Sequence, residues 1–288
     1  MTSMTSANRA EDARLAVLVL AAEQMYDTHG PHAIGPPVDR RIAANWSLRG
    51  YIVGTDAIIR LLGGLALGEQ RVFYGLLLQH RTTLGQFAAV IRGTAGSVEW
   101  CEDLEGLPKM SRWPGRVESG FQGIYDSFAY CAPGAPEIPL IGAISTAVGA
   151  GTLTVVGHSL GSALATYLAY ELSSALPGRV ALRVWASPHP GDVAFMAAVA
   201  ATVPNHAHYL NPNDIVPKVP VCFGYTHLAN TIPIGPENER VSIKSDWGCS
   251  HHLTSYLALM DASSLVEAAS PQNEPYLSCI VSPSAKAA

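Results

Sequence analysis

One serine, one aspartate and a pair of adjacent histidines are the residues of this chain whose types and surroundings suit a reaction. Ser159 stands in Gly157-His158-Ser159-Leu160-Gly161. Asp214 stands in Asn213-Asp214-Ile215-Val216-Pro217, and His251 and His252 stand in Ser250-His251-His252-Leu253. A serine hydroxyl is a poor nucleophile near neutral pH. A histidine must take its proton, and a carboxylate must orient and stabilise that histidine.

The surrounding stretches predict how these groups are held. Leu153 to Val156 is a short apolar run with two valines and a threonine, and it reads as a buried strand. Ser162 to Ala169 is alanine-rich and reads as a closely packed helix. Strand, sharp turn, helix is the setting the G-x-S-x-G pattern needs, with glycines where β-carbons would collide. First-turn N–H groups of that helix would face an oxyanion forming beside Ser159. Asp214 falls on a Pro-rich loop at a strand end. His251 and His252 come just before a helix with Leu253, Tyr256, Leu257 and Met260 on one face. The order Ser159, Asp214, His251/His252 is that of α/β-hydrolases.

The rest of the chain reads as alternating strands and helices, which argues for a mainly parallel central sheet with helices on both faces. Ala13 to Met25 is expected to be an amphipathic helix, and Ile42 to Leu67 helix and loop. Val72–Leu78 and Gln86–Gly93 are expected to form a hairpin. Val98, Cys101 and Leu104, broadened by Trp100, give a short apolar stripe between Gly96 and Gly106; it suits a mobile lid or a fixed surface helix equally. Phe121–Cys131, Pro139–Val148 and Val193–Thr202 read as helices. Arg179–Ala186 and His206–Leu210 read as strands. Asp192 is expected to cap a helix. His158 is expected to point away from the partners of Ser159. Residues 1–10 and about 269–288 read as flexible tails of one domain spanning 1–288.

Composition limits the function classes. The formal net charge is −5 and no basic stripe is visible, so no nucleic-acid partner is expected. Hydrophobic residues make up 48%, yet no run approaches the ~20 apolar residues of a membrane span. His206 and His208 share one face of a strand, but no Cys, Asp or Glu completes a metal set, so no metal and no cofactor are expected. The five cysteines are odd in number and lack C-x-x-C spacing, so they are expected to be buried or incidental thiols. No signal peptide is evident, which predicts a cytoplasmic protein or one exported by a route the sequence does not display.

From Val72 to Met260 the chain resembles the class 3 lipase family, an α/β-hydrolase group with fungal triacylglycerol lipases and bacterial and plant relatives. The matching segments are Val90-Ile91-Arg92-Gly93-Thr94, Glu99 to Leu104, Ser119-Gly120-Phe121, Gly157 to Ala165, Ser187 to Asp192, Asn213 to Pro217, and His251-x-Leu253-x-x-Tyr256-Leu257. The resemblance implies Ser159 as nucleophile, Asp214 as acid and His251 as base. His252 is the alternative base, because fungal relatives have the histidine directly before leucine. It also implies an oxyanion hole from Thr94 and Leu160, and a lid over residues 95–107 carrying Val98, Trp100 and Leu104. The activity implied is hydrolysis of acyl esters, lipids foremost, through an acyl-enzyme, with contact to a lipid interface through the lid. Esterases, phospholipases A1 and feruloyl esterases share the resemblance, and a non-catalytic lipase-like binding protein is a more remote alternative. Glu118 departs from the family's usual histidine before Ser-Gly-Phe. Residues 1–70 match nothing in the family.

Overall fold

The computed structural model describes residues 6–30, 33–55, 70–93, 108–221, 223–235, 241–261, 263–264 and 274–281. Fifteen strands, numbered along the chain, form three sheets among these residues. The nine-stranded sheet holds β1 (Trp46–Thr55), β2 (Arg71–His80), β3 (Gln86–Ile91), β6 (Ala129–Cys131), β7 (Glu137–Pro139), β8 (Thr152–His158), β9 (Val180–Trp185), β11 (His206–Leu210) and β13 (Thr231–Pro233). Their spatial order is β13-β11-β9-β8-β3-β2-β1-β6-β7. The side from β13 to β3 is parallel throughout, and the side from β3 to β7 is antiparallel. The parallel side is the one that matters for chemistry, because β8 lies in its interior with β3 and β9 as neighbours.

Two small sheets accompany it. One joins β4 (Pro108–Met110), β5 (Arg116–Glu118), β10 (Gly191–Asp192) and β12 (Tyr225–Thr226); the other pairs β14 (Ser242–Ile243) with β15 (Ile280–Val281).

The central strands are Val-, Ile- and Leu-rich because both faces are covered. The helix Leu160–Ala175 packs on β8 and β9. The helices Ser6–His29 and Leu253–Met260 pack on each other, the former also against β8, β3 and β2. The N-terminal helix is not amphipathic as expected. Ala13 and every residue from Ala16 to Ala22 are buried, so it is an inner element of the core. Its Asp12 binds Arg183 of β9 through two contacts of 2.9 and 3.0 Å and accepts the hydroxyl of Tyr209, which neutralises a carboxylate that is almost wholly buried.

Several local expectations are corrected. The stretch 46–55 is strand β1, not helix and loop. Its Gly50 is the reason the pattern looked broken: a β-carbon there would lie 2.3 Å from the ring of Tyr130. The helix expected over 121–131 is Ser119–Tyr125 followed by strand β6, which pairs with β1. Residues 6–10 are helical and not a frayed tail. The C-terminal region is likewise more than a tail, since it contains the helix Glu274–Leu277 and strand β15. Val193–Thr202 and His206–Leu210 have the expected bounds, and Asp192 caps its helix by accepting the N–H of Phe195 at 3.0 Å.

Candidate active site

Strand β8 ends at His158 and the next helix begins at Leu160, so Ser159 alone makes the turn. Its φ of 56° and ψ of −131° are strained for a residue with a side chain. The turn closes only because its neighbours are glycines. A β-carbon on Gly157 would lie 2.3 Å from the Gly161 carbonyl oxygen, and one on Gly161 would lie 2.4 Å from that of Arg92. The Ser162 hydroxyl braces the elbow by donating to the carbonyls of Gly157 and Trp185 at 2.7 and 2.8 Å.

The side chain of Ser159 meets a histidine. His251 Nε2 lies 2.8 Å from Ser159 Oγ, and His251 Nδ1 lies 2.8 Å from Asp214 Oδ2. A carboxylate on Nδ1 fixes the tautomer that carries its proton there, leaving Nε2 to accept one from the hydroxyl. Burial pushes the His251 pKa down, against the opposing pull of Asp214, so the ring is neutral and receptive at neutral pH.

Asp214 follows β11, is fully buried, and is held on both oxygens. Oδ1 accepts the N–H of Val216 at 3.0 Å, and Oδ2 accepts the hydroxyl of Tyr256 at 2.7 Å. His251 ends the short helix Trp247–His251, which Asp246 caps through the N–H of Cys249 at 3.0 Å.

His252 does other work. Its Nδ1 accepts the N–H of Thr254 at 3.3 Å and contacts the Thr254 hydroxyl at 2.9 Å, capping the helix Leu253–Met260. Its ring stacks on Tyr276 with centroids 3.6 Å apart. Burial drives its pKa down to about 3. His252 therefore touches neither Ser159 nor Asp214.

Other placements differ from expectation. Cys249 and Cys279 form a disulfide, so these two are not incidental thiols; the bridge ties the His251 segment to the C-terminal strand. His158 does not point away from the site: its ring packs 5.0 Å from that of His251, centroid to centroid. Glu118, the departure from the family pattern, is buried and caps the helix Ser119–Tyr125 by accepting the N–H of Phe121 at 2.6 Å. His206 and His208 serve backbone partners separately, His206 Nδ1 at the Val203 carbonyl and His208 Nε2 at the Ser187 N–H. His208 instead joins His227 and His189, with ring centroids 4.7 and 4.2 Å apart along the series. Leu160 opens its helix beside Ser159, where first-turn N–H groups lack helical acceptors. Thr94, Val98, Trp100 and Leu104, the residues expected to give the second oxyanion donor and the lid, lie outside the described residues.

Sequence comparison adds a decisive observation. Residues 88–224 match the model of the family described as Lipase (class 3). This stretch, just under half of the chain, is similar in sequence to the class 3 lipases. It contains β3 from Ala88 onward, the Ser159 elbow and Asp214, while His251 lies beyond its end. The chain is 38% identical over 92 residues to the secreted mono- and diacylglycerol lipase A of Penicillium cyclopium, a segment that is 31% of this chain and 30% of that protein. It is 39% identical over 92 residues to phospholipase A1-II 7 of Oryza sativa subsp. indica, covering 27% of this chain and 22% of that one. The match thus spans less than a third of either relative. Solved structures extend the likeness in fold. The Rhizomucor miehei lipase propeptide complex superposes with a TM-score of 0.56 at 20% identity, over 80% of this chain and 70% of that one. A mutant form of MDLA from Penicillium cyclopium superposes with a TM-score of 0.61 at 20% identity, over 85% and 86% of the two chains. The architecture is therefore an α/β-hydrolase-like fold shared with these fungal lipases.

Proposed function

We propose that this chain is a serine carboxylic-ester hydrolase acting on acyl esters. The observation that carries the reading is the continuous contact from Asp214 through His251 to Ser159, at 2.8 Å for each link. Ser159 Oγ attacks the ester carbonyl carbon and gives its proton to His251 Nε2. Asp214 stabilises the imidazolium that results. The oxyanion is received by the N–H of Leu160, together with Thr94, the position the family resemblance assigns. As the carbon–oxygen bond to the alcohol breaks, His251 protonates the leaving oxygen. Water then attacks the acyl-enzyme by the same steps in reverse roles, releasing the acid and free Ser159.

Lipid esters are the favoured substrate class, because the relatives named above act on mono- and diacylglycerols or are a phospholipase A1 by name. In this reading the whole chain is one domain and residues 95–107 form a lid at the substrate entrance. Export is favoured over a cytoplasmic location by the Cys249–Cys279 bridge and by the secreted Penicillium relative. No described helix is long and apolar enough to cross a membrane.

Initial rates on p-nitrophenyl esters from acetate to palmitate, below and above the point of substrate aggregation, test the reading against Ser159→Ala. Ser159-dependent rates that extend to long chains and rise at the interface mark a lidded lipase. Ser159-dependent rates that stop at short chains mark an esterase. Absence of any Ser159-dependent turnover overturns the hydrolase reading.

A further inference from the structure

Behind the Ser159, His251 and Asp214 contacts lies a second buried pair that the ester chemistry itself does not use. Glu23 comes from the N-terminal helix, and His158 is the last residue of β8. His158 Nδ1 lies 3.0 Å from Glu23 Oε1, and His158 Nε2 lies 3.0 Å from the main-chain carbonyl oxygen of His251. Both side chains are largely shielded from solvent, with exposures of 6% for His158 and 15% for Glu23.

The chemistry of the partners bears on the state of the ring. The His251 carbonyl oxygen can only accept. Glu23 Oε1 also accepts the N–H of Gly93 at 3.1 Å, and although burial pushes the Glu23 pKa up, the facing His158 and this N–H hold it below the ordinary value, so the group is a carboxylate. A neutral imidazole has a single N–H and would set a lone pair against one of these two acceptors. Only the doubly protonated ring donates to both. A carboxylate and an imidazolium in contact neutralise each other, which is the condition for leaving two charges in a core.

We propose that Glu23 and His158 form a carboxylate–imidazolium pair that positions His251 through its main-chain carbonyl. The proposal rests on the reading of His251 as the base. The pair joins three parts of the site. Glu23 Oε1 holds Gly93, the residue before Thr94, and His158 adjoins Ser159 in sequence. His158 Nε2 holds the His251 backbone. Gly93 is shaped for this contact, since a β-carbon there would lie 2.8 Å from Glu23 Oε1 and 3.1 Å from the His158 carbonyl oxygen. Glu23 and His158 touch no reacting atom; they are positioning residues, and a small displacement of a base is costly to rate. The groups that face His158 are Glu23 from the N-terminal helix, His251 and Tyr256 from the C-terminal helices, and, through space, His252 between those helices and Asp214 from the loop after β11.

Nitrogen-15 NMR of the whole 288-residue chain at about pH 8, above the ordinary histidine value of about 6.5, reads the His158 ring, assigned by comparison with His158→Asn. The expected signature is an imidazolium with both nitrogens protonated. Glu23→Gln is expected to convert it to the neutral ring and to lower kcat on p-nitrophenyl butyrate by about 10- to 100-fold with KM nearly unchanged. Glu23→Asp, which keeps the charge, is expected to recover part of that loss. A neutral His158 in the wild type overturns the proposal, whether or not any variant folds. So does folded Glu23→Gln with wild-type kcat while Ser159→Ala is inactive. Turnover retained by Ser159→Ala overturns the hydrolase reading instead, and the NMR signature still decides the protonation of His158.

Discussion

Tyr256 donates its hydroxyl to the same oxygen of Asp214 that receives His251, at 2.7 Å beside the 2.8 Å contact of the ring. The carboxylate is fully buried, so each donor offsets part of the cost of its desolvation. The five-residue spacing from His251 to Tyr256 thus has a physical meaning: both side chains converge on one atom. Replacing Tyr256 by Phe is expected to destabilise the fold by about 1–3 kcal/mol, the cost of a lost donor to a buried charged group. With one donor fewer, Asp214 Oδ2 draws the His251 N–H more strongly, so the acid limb of the kcat/KM profile is expected to move to higher pH. Urea denaturation and a pH–rate profile check both parts.

The two adjacent histidines have separable roles. His251→Ala removes the only ring in contact with Ser159 Oγ among the described residues and is expected to lower kcat by at least about 10⁴-fold. His252→Ala removes a helix cap and a stacking partner of Tyr276. It is expected to cost about 0.5–2 kcal/mol of stability with acyl-enzyme formation retained. Burst kinetics and thermal melts of the two variants check the division. Loss of the burst in His252→Ala alone would reverse it.

The cluster of His189, His208 and His227 predicts acid sensitivity. Burial, then the neighbouring His189, holds His227 down at about 4, and burial also lowers the other two. A base whose pKa is lower folded than unfolded binds fewer protons in the native state below the ordinary value of about 6.5, so its contribution to stability is lost as pH falls through that point. For His227 the loss continues down to about 4. His158, raised because Glu23 outweighs the effect of burial, acts in the opposite sense. The readout is therefore the difference between proteins: Tm is expected to fall less steeply from pH 7 toward pH 5 in His227→Gln than in the wild type. Parallel slopes would contradict the assignment.

The Cys249–Cys279 bridge closes a loop with a sequence separation of 30 that carries the His251 segment, and Lys244 and the β14–β15 pairing reinforce the same closure. Replacing both cysteines by serine is expected to lower stability by about 2–4 kcal/mol. Urea denaturation of oxidised wild type against the double variant checks it.

The three side chains that contact one another were legible because each sits in a short local pattern: Gly157-x-Ser159-x-Gly161, Asn213-Asp214 before Pro217, and His251 ahead of Leu253 and Tyr256. Such patterns encode a turn or a helix start, which is decided by neighbours in sequence. What stayed hidden was decided at a distance. β1 looked irregular because Gly50 is required by the Tyr130 ring, and β6 has only three residues and exists by pairing with β1. The N-terminal helix carried no motif, yet its Asp12 meets Arg183 and its Glu23 meets His158, across 171 and 135 residues. Two acidic residues in a helix read as solvated surface until their partners are known. Of the two adjacent histidines, the ring that meets Ser159 is His251, the one favoured by its spacing to Leu253 and Tyr256.

The most direct test of the central claim is covalent labelling. Wild-type protein, Ser159→Ala and His251→Ala are treated with a fluorophosphonate and the adducts located by peptide mass mapping. The account predicts a single adduct on Ser159 in the wild type, none in Ser159→Ala, and labelling slowed by orders of magnitude in His251→Ala. A folded wild-type protein that acquires no adduct, or acquires it on another residue, would contradict it.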